Sequence, residues 1–329
     1  MKRIFSAFFA LTIIASLLCR NVAPTKAEAA KQLSIVTTIF PEYDWVRQIL
    51  GDKFSDSDVT MLLDNGVDLH SYQPTVDDIV KIATCDLFIY AGGESDEWVE
   101  DALKHSVNKD MKVINLLEVL GDSVKVEETV EGMQETAHDH DEDDDHEEHE
   151  EEKDEHVWLS LKNAKVLCNA ISKALQELDP DSKDIYAANA EAYEKQLSAL
   201  DEKYQEAVDN AACKTLLFGD RFPFRYLTDD YGLRYYAAFS GCSAESEASF
   251  ETIHFLAEKL DELGLPCILT IEGAKHRIAQ TIVENTAKKN QAVLSMDSMQ
   301  ATTLKDVAQG TTYLSVMEKN LDVLTNALG

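Results

Sequence analysis

Residues 138–149 read HDHDEDDDHEEH: four histidines and eight acids, and nothing else. Such a run has no apolar side chain with which to pack, and every member is a ligand that divalent cations accept. Acids alone would make an ordinary solvated charge run. The recurrence of His138, His140, His146 and His149 points instead to weak, labile metal contacts, with the carboxylates raising the local cation concentration. Three more residues sit where a second, tighter site could form. His70 lies in Asp68-Leu-His-Ser-Tyr-Gln-Pro-Thr, between an apolar run and a helix start. His156 opens the segment His-Val-Trp-Leu-Ser, whose Val157 and Trp158 anchor it to a core. Asp297 follows the apolar run 292–295. The plain alternatives are a solvated loop histidine for His70 and a turn-capping carboxylate for Asp297. His105, His254 and His276 read as surface residues on helices. The chain has no HExxH, no GxSxG and no phosphate-loop pattern.

Positioning such residues is the task of the surrounding elements. Runs 33–37, 59–63, 87–90 and 113–115 read as strands, with helical patterns such as 42–50 and 75–83 between them. The same rhythm returns at 215–218, 234–238, 267–270 and 292–295, with helices at 250–263 and 278–288. Short apolar strands alternating with helices predict parallel sheets covered on both faces. From 184 to 212 the chain lacks Pro and Gly, and apolar residues recur at helical spacing. About 28 helical residues would span roughly 42 Å. The expectation is an α/β protein of two Rossmann-like (β/α)4 lobes, with parallel sheets joined by one long rigid helix. The expected organisation is a signal peptide at 1–30, an N-terminal lobe at 31–180 that includes the acidic His-rich loop 127–155, a linking helix at 181–212, and a C-terminal lobe at 213–329. In open α/β sheets ligands bind beyond the carboxyl ends of the strands. Polar residues just past strands are therefore the ones to weigh.

With 329 residues there is material for two ordinary cores. The formal net charge is −31, and residues 127–155 supply about half of it, with 17 acids against one Lys. That balance excludes nucleic acid as a partner and suits cationic ligands. Lys2 and Arg3 precede an uncharged stretch, 4–18, which has the length of a secretory h-region and is short for a membrane span. Export is expected, with cleavage near Ala29 or Ala30; a lipid anchor on Cys19 is the alternative. Five cysteines follow the leader, an odd number. Cys85, Cys168 and Cys267 lie in apolar runs, which suits buried thiols.

Together these motifs resemble the metal-binding proteins of bacterial ABC importers for zinc and manganese, the cluster A-I family, over essentially the whole mature chain. The segment around His70 resembles that family's first-ligand motif, and Glu155-His-Val-Trp-Leu-Ser resembles its D-P-H-x-W-x-S motif. Tyr231-Gly-Leu, Ser243-Ala-Glu-Ser-Glu, Ile271-Glu272 and Met296-Asp297 follow its second lobe in order. The resemblance implies His70, His156 and Asp297 as metal ligands, two lobes bridged by one long helix, and a His-rich loop where 138–149 stands. In one place the chain departs. The family supplies a third ligand, His or Glu, after the first strand of the second lobe. Here Gly219 or Arg221 falls at that position, and neither can ligate. Asp220 is the nearest replacement and Glu272 a second; water is a third option.

Two imidazoles with carboxylates suit zinc or manganese better than calcium or magnesium. The His-rich loop favours Zn2+, with Mn2+ as the alternative. The expected function is a non-enzymatic, monomeric receptor outside the cytoplasmic membrane that serves an ABC permease and its ATPase. An exported metallohydrolase with an open metal position and an adhesin using the acidic loop are rival readings.

Overall fold

The computed structural model describes residues 32–134, 152–243, 247–273 and 275–329. The leader, Cys19 and the loop histidines His138, His140, His146 and His149 lie outside the described residues.

The first sheet contains β1 (Ser34–Thr37), β2 (Asp58–Met61), β3 (Leu87–Tyr90) and β4 (Lys112–Asn115), all parallel, in the order β2-β1-β3-β4. Helices α1 (Phe40–Leu50), α2 (Val76–Thr84), α3 (Trp98–Lys104) and α4 (Leu116–Leu120) belong to this lobe. Local chemistry sets their starts. Thr75 and Asp78 form a reciprocal capping box on α2, and Asn115 caps α4 by accepting from Glu118 N–H.

Helix α5 (Leu161–Leu178) starts at Ser160, whose side chain accepts from Asn163 N–H. The 27-residue α6 (Lys183–Asp209) follows a 3₁₀ turn at Pro180–Ser182 and stops where Asn210 caps it, a little short of the expected end. Its length is roughly 40 Å. It packs on α5 and α1, and Asn189 donates to the Ile49 carbonyl at 3.0 Å.

The second sheet repeats the first in topology. It contains β5 (Thr215–Arg221), β6 (Arg234–Phe239), β7 (Cys267–Thr270) and β8 (Ala292–Ser295), again parallel, in the order β6-β5-β7-β8. Strand β5 runs past its expected end at 218, with a register shift against β6 between Phe218 and Arg221. Its helices are α7 (Arg225–Tyr231), α8 (Phe250–Glu262), α9 (Arg277–Asn285), α10 (Leu304–Ala308) and α11 (Tyr313–Leu328).

Helix α11 closes the molecule on itself. It packs against α6 and α1 as well as against β5 and β7. Tyr204 of α6 donates to the Met317 carbonyl at 2.7 Å, and Tyr313 N–H donates to buried Asp44 of α1 at 2.9 Å. One apolar core accordingly runs from Ile35 and Phe88 through Leu197 and Tyr204 to Phe218 and Leu324. All five cysteines after the leader carry free thiols.

Candidate metal centre

His70 and Asp297 stand beyond the carboxyl ends of β2 and β8, and His156 follows the isolated bridge between Val126 and Lys153. Strand β2 leads to the 3₁₀ turn Leu69–Ser71, which carries His70; Asp68 caps it, its Oδ1 accepting from His70 N–H at 3.1 Å. His156 precedes the turn Val157–Leu159, which is held from two sides. Trp158 Nε1 donates to the Ser298 carbonyl at 2.9 Å, and Tyr313 Oη donates to the Trp158 carbonyl at 2.6 Å.

The two imidazoles meet. Their Nε2 atoms are 3.3 Å apart and their ring centroids 5.3 Å apart. The opposite nitrogens are engaged: His70 Nδ1 lies 2.7 Å from Ser95 Oγ, and His156 Nδ1 lies 3.0 Å from Asp154 Oδ1. Fixing Nδ1 in this way turns each Nε2 toward the shared space, which is how neighbouring groups orient metal-binding histidines. Glu155 adds a buried carboxylate. Its Oε1 accepts from Ser95 N–H, while Oε2 has no hydrogen-bond partner among the described residues and lies 3.7 Å from His70 Nδ1.

The two rings differ in basicity. Burial, then the proximity of His156, pushes His70 down to about 3. Burial also opposes a charge on His156, but its hydrogen bond to Asp154 and the surrounding carboxylates outweigh that and raise it above the usual imidazole value. One neutral ring beside a more basic one is a pair ready to exchange a proton for a cation.

A third donor comes from the second lobe. Among the described residues, one nitrogen each of His70 and His156 and the sulfur of Cys242 lie within 4.8 Å of one another. Cys242 follows β6, and its N–H donates to Glu127 Oε1 at 2.9 Å. Glu127 also donates through its own N–H to the Glu152 carbonyl, beside an antiparallel bridge between Val126 and Lys153. Residues flanking the acidic run are therefore held next to the candidate centre.

The carboxylates expected from sequence are placed differently. Asp297 is not one of the three clustered donors. Its Oδ1 accepts from Met299 N–H at 2.8 Å, and its neighbour Ser298 is the residue bonded to Trp158. Burial, then the charge of Glu272, raises Asp297 to about 6. Glu272 grips Ser298 through both its N–H and Oγ, each at 2.6 Å. Asp220 accepts from Arg221 N–H at 2.9 Å, and burial raises its pKa. Asp220 and Glu272 line a cavity of about 510 Å³ together with Lys275 and His276. Neither residue at the departure point ligates. An added Cβ on Gly219 would come within 2.7 Å of Ala279 Cα, so α9 fills that space. Arg221 ion-pairs with Asp68 at 2.5 Å.

Sequence reasoning passed over Cys242, Asp154 and Glu155. For Cys242 a signal existed: it stands just past a strand, outside any apolar run, where polar side chains face a cleft.

Residues 35–327 match the family model described as "ZnuA: Zinc-uptake complex component A periplasmic". The chain belongs to the ZnuA family. Among ZnuA-related proteins, it is 32% identical over 324 residues to "Zinc-binding lipoprotein AdcA" of Streptococcus pneumoniae serotype 4, covering 98% of this chain and 60% of that protein. The chain thus spans less than two thirds of that relative. It is 30% identical over 314 residues to "High-affinity zinc uptake system protein ZnuA" of Bacillus subtilis, covering 94% of this chain and 92% of that one. The Zn(II)-bound ZnuA-like domain of Streptococcus pneumoniae AdcA superposes with a TM-score of 0.70 at 29% identity, over 91% of this chain and 99% of the domain. The two-lobe α/β architecture is that of its ZnuA-like neighbours.

Proposed function

We propose that this chain is a zinc receptor outside the cytoplasmic membrane. It captures Zn2+ as cargo between its lobes and hands it to an ABC permease driven by an ATPase, without catalysing a reaction. The observation that carries this reading is the pair of opposed Nε2 atoms at 3.3 Å. Two nitrogens bound at 2.0–2.1 Å to one tetrahedral zinc stand roughly 3.3 Å apart. His70 and His156 are thus spaced for a shared ion.

Asp297 is the proposed carboxylate ligand, brought in from the second lobe. Its backbone neighbour already touches Trp158, two residues past His156. Asp220 and Glu272 are alternates. The loop histidines His138, His140, His146 and His149 would gather zinc weakly and pass it inward. In this reading residues 1–30 direct export, either with cleavage near Ala29 or Ala30 or with lipidation of Cys19, and the receptor acts as a monomer. Among the described residues no helix is long and apolar enough to cross a membrane.

Calorimetric titration of the mature chain tests the reading. One tight zinc site plus weaker ones is expected, with manganese failing to displace zinc from the tight site. His70→Ala and His156→Ala each abolish the tight site if the reading holds; retention of that site in both variants sinks it.

A further inference from the structure

Building on the zinc reading of the paired imidazoles, we propose that Cys242 is itself a zinc ligand, completing a set of two histidines and one thiolate that spans both lobes. Its sulfur is the donor that the second lobe brings within 4.8 Å of His70 and His156. For a tetrahedral ion with zinc–sulfur and zinc–nitrogen bonds of about 2.3 and 2.05 Å, sulfur and nitrogen stand roughly 3.6 Å apart, and small side-chain rotations reach that from here.

The surroundings are built for a close approach. The preceding residue is glycine, and a Cβ on Gly241 would lie 3.1 Å from His156 Cε1 and 3.0 Å from the Phe222 carbonyl oxygen. A larger residue there would push the Cys242 loop off the imidazole. Glu127 holds the Cys242 N–H at 2.9 Å, fixing the loop from the other side. The other described thiols have different settings: Cys85, Cys168 and Cys267 are buried, and Cys213 begins the approach to β5.

Burial, then the charges of Glu127, Glu155 and Asp154, holds the free thiol protonated, so an arriving cation must displace its proton. Arg221 cannot coordinate a cation, and it pairs with Asp68, whose other oxygen lies 4.0 Å from His70 Nε2. This guanidinium acts beside His70 and offsets part of the carboxylate charge on that side of the centre. On binding, the Sγ–H proton leaves to solvent as the sulfur–zinc bond forms, with no change in oxidation state. A soft sulfur donor also sets selectivity: thiolate favours zinc and disfavours manganese, which prefers oxygen ligands. Cys242 is thereby the specificity-determining residue of the site.

Cobalt(II) is the probe, added at one equivalent to the reduced, metal-free mature chain. The expected result is a thiolate-to-cobalt charge-transfer band in the near ultraviolet. It should be lost in Cys242→Ser and retained in Cys213→Ser, with circular dichroism unchanged in both. Zinc competition with a chelator should show Cys242→Ser weakened on the order of 100-fold while its manganese affinity holds. Tight binding of one cobalt without the band overturns thiolate ligation and leaves the zinc reading standing. Failure of cobalt and zinc to bind at all overturns both.

Discussion

Arg221, at the end of β5, reaches Asp68 of the first lobe at 2.5 Å. The same Asp68 carboxylate holds the His70 N–H through its other oxygen. Burial opposes a charge on Asp68, but Arg221 and His70 together outweigh it and keep the carboxyl below its ordinary value. A single carboxylate therefore joins the lobe contact to the His70 turn. Arg221→Gln and Asp68→Asn should each lower zinc affinity several-fold. A double-mutant cycle on unfolding should give a coupling of about 1 kcal/mol, modest because both side chains remain partly exposed. Additive losses would mean that the pair is a passive surface contact.

Asp154 Oδ1 accepts from both the backbone N–H and Nδ1 of buried His156, at 2.9 and 3.0 Å. Asp154→Asn removes the charge and weakens control of the ring's orientation. Zinc affinity should fall roughly 10–100-fold, the usual cost of losing an orienting partner. Chelator competition measures it, with the unfolding midpoint as a control for folding. An unchanged affinity would show that packing against Trp158 alone sets the ring.

Acid should release the ion. Zinc needs both imidazoles neutral, and His156 is the more basic of the two. As pH falls through the raised His156 value, a proton competes with the cation, so affinity drops with falling pH. Titrations at pH 7.5 and 5.5 should differ by at least about tenfold. In His156→Gln the residual weak binding should lose most of that pH dependence.

Glu42 is a separate, structural carboxylate. It is fully buried at the start of α1, accepting from the N–H groups of Thr38 at 2.8 Å and Ile39 at 3.2 Å. Burial, then the charge of Asp96, raises it from 4.5 to about 8. Between those values the folded chain keeps a proton that the unfolded chain releases. Stability from this group is complete below 4.5 and is lost as pH rises through about 8. Glu42→Gln should flatten the decline in denaturation free energy between pH 5 and 8. An unaltered slope would place the titrating group elsewhere.

The fold was legible because its signals are local. Alternating runs of apolar strand and helix gave the eight described strands within a few residues, and the stretch without Pro or Gly gave α6. The ends were less visible. Strand β5 continues to Arg221 because pairing with β6 resumes after a register shift, which no side-chain pattern announces. The histidine pair was legible too. His70 and His156 stand in distinctive segments, and the structure brings them together. Cys242 was overlooked because its one local signal, a place just past a strand, is shared by many polar residues and has no ligand spacing beside it. Its meaning arises from a contact across 86 residues to His156 and 172 to His70, set by how the second sheet sits against the first. Asp297 was chosen for standing past a strand and for its place in the family's motif order, Asp220 for its nearness to the departure at 219–221, and Glu272 for standing at a strand's tip. Position along a strand does not reveal that Glu272 turns to Ser298 or that Asp220 holds a neighbouring amide.

The middle of α6 offers a test of its bridging role. Leu200 is buried at 3% exposure in the core shared by both sheets. Leu200→Ala should cost about 2–5 kcal/mol in unfolding free energy while leaving zinc stoichiometry unchanged. A loss well under 1 kcal/mol would show that the helix can relax around the gap.

The contact between Tyr313 and Asp44 has a consequence for folding. Asp44 lies on α1, and the amide it accepts belongs to α11. Until α11 docks, this buried carboxylate keeps only Arg47 and Gln48 as partners within its own helix. A variant lacking residues 313–328 should therefore open to proteases around α1, far away in sequence from the deletion.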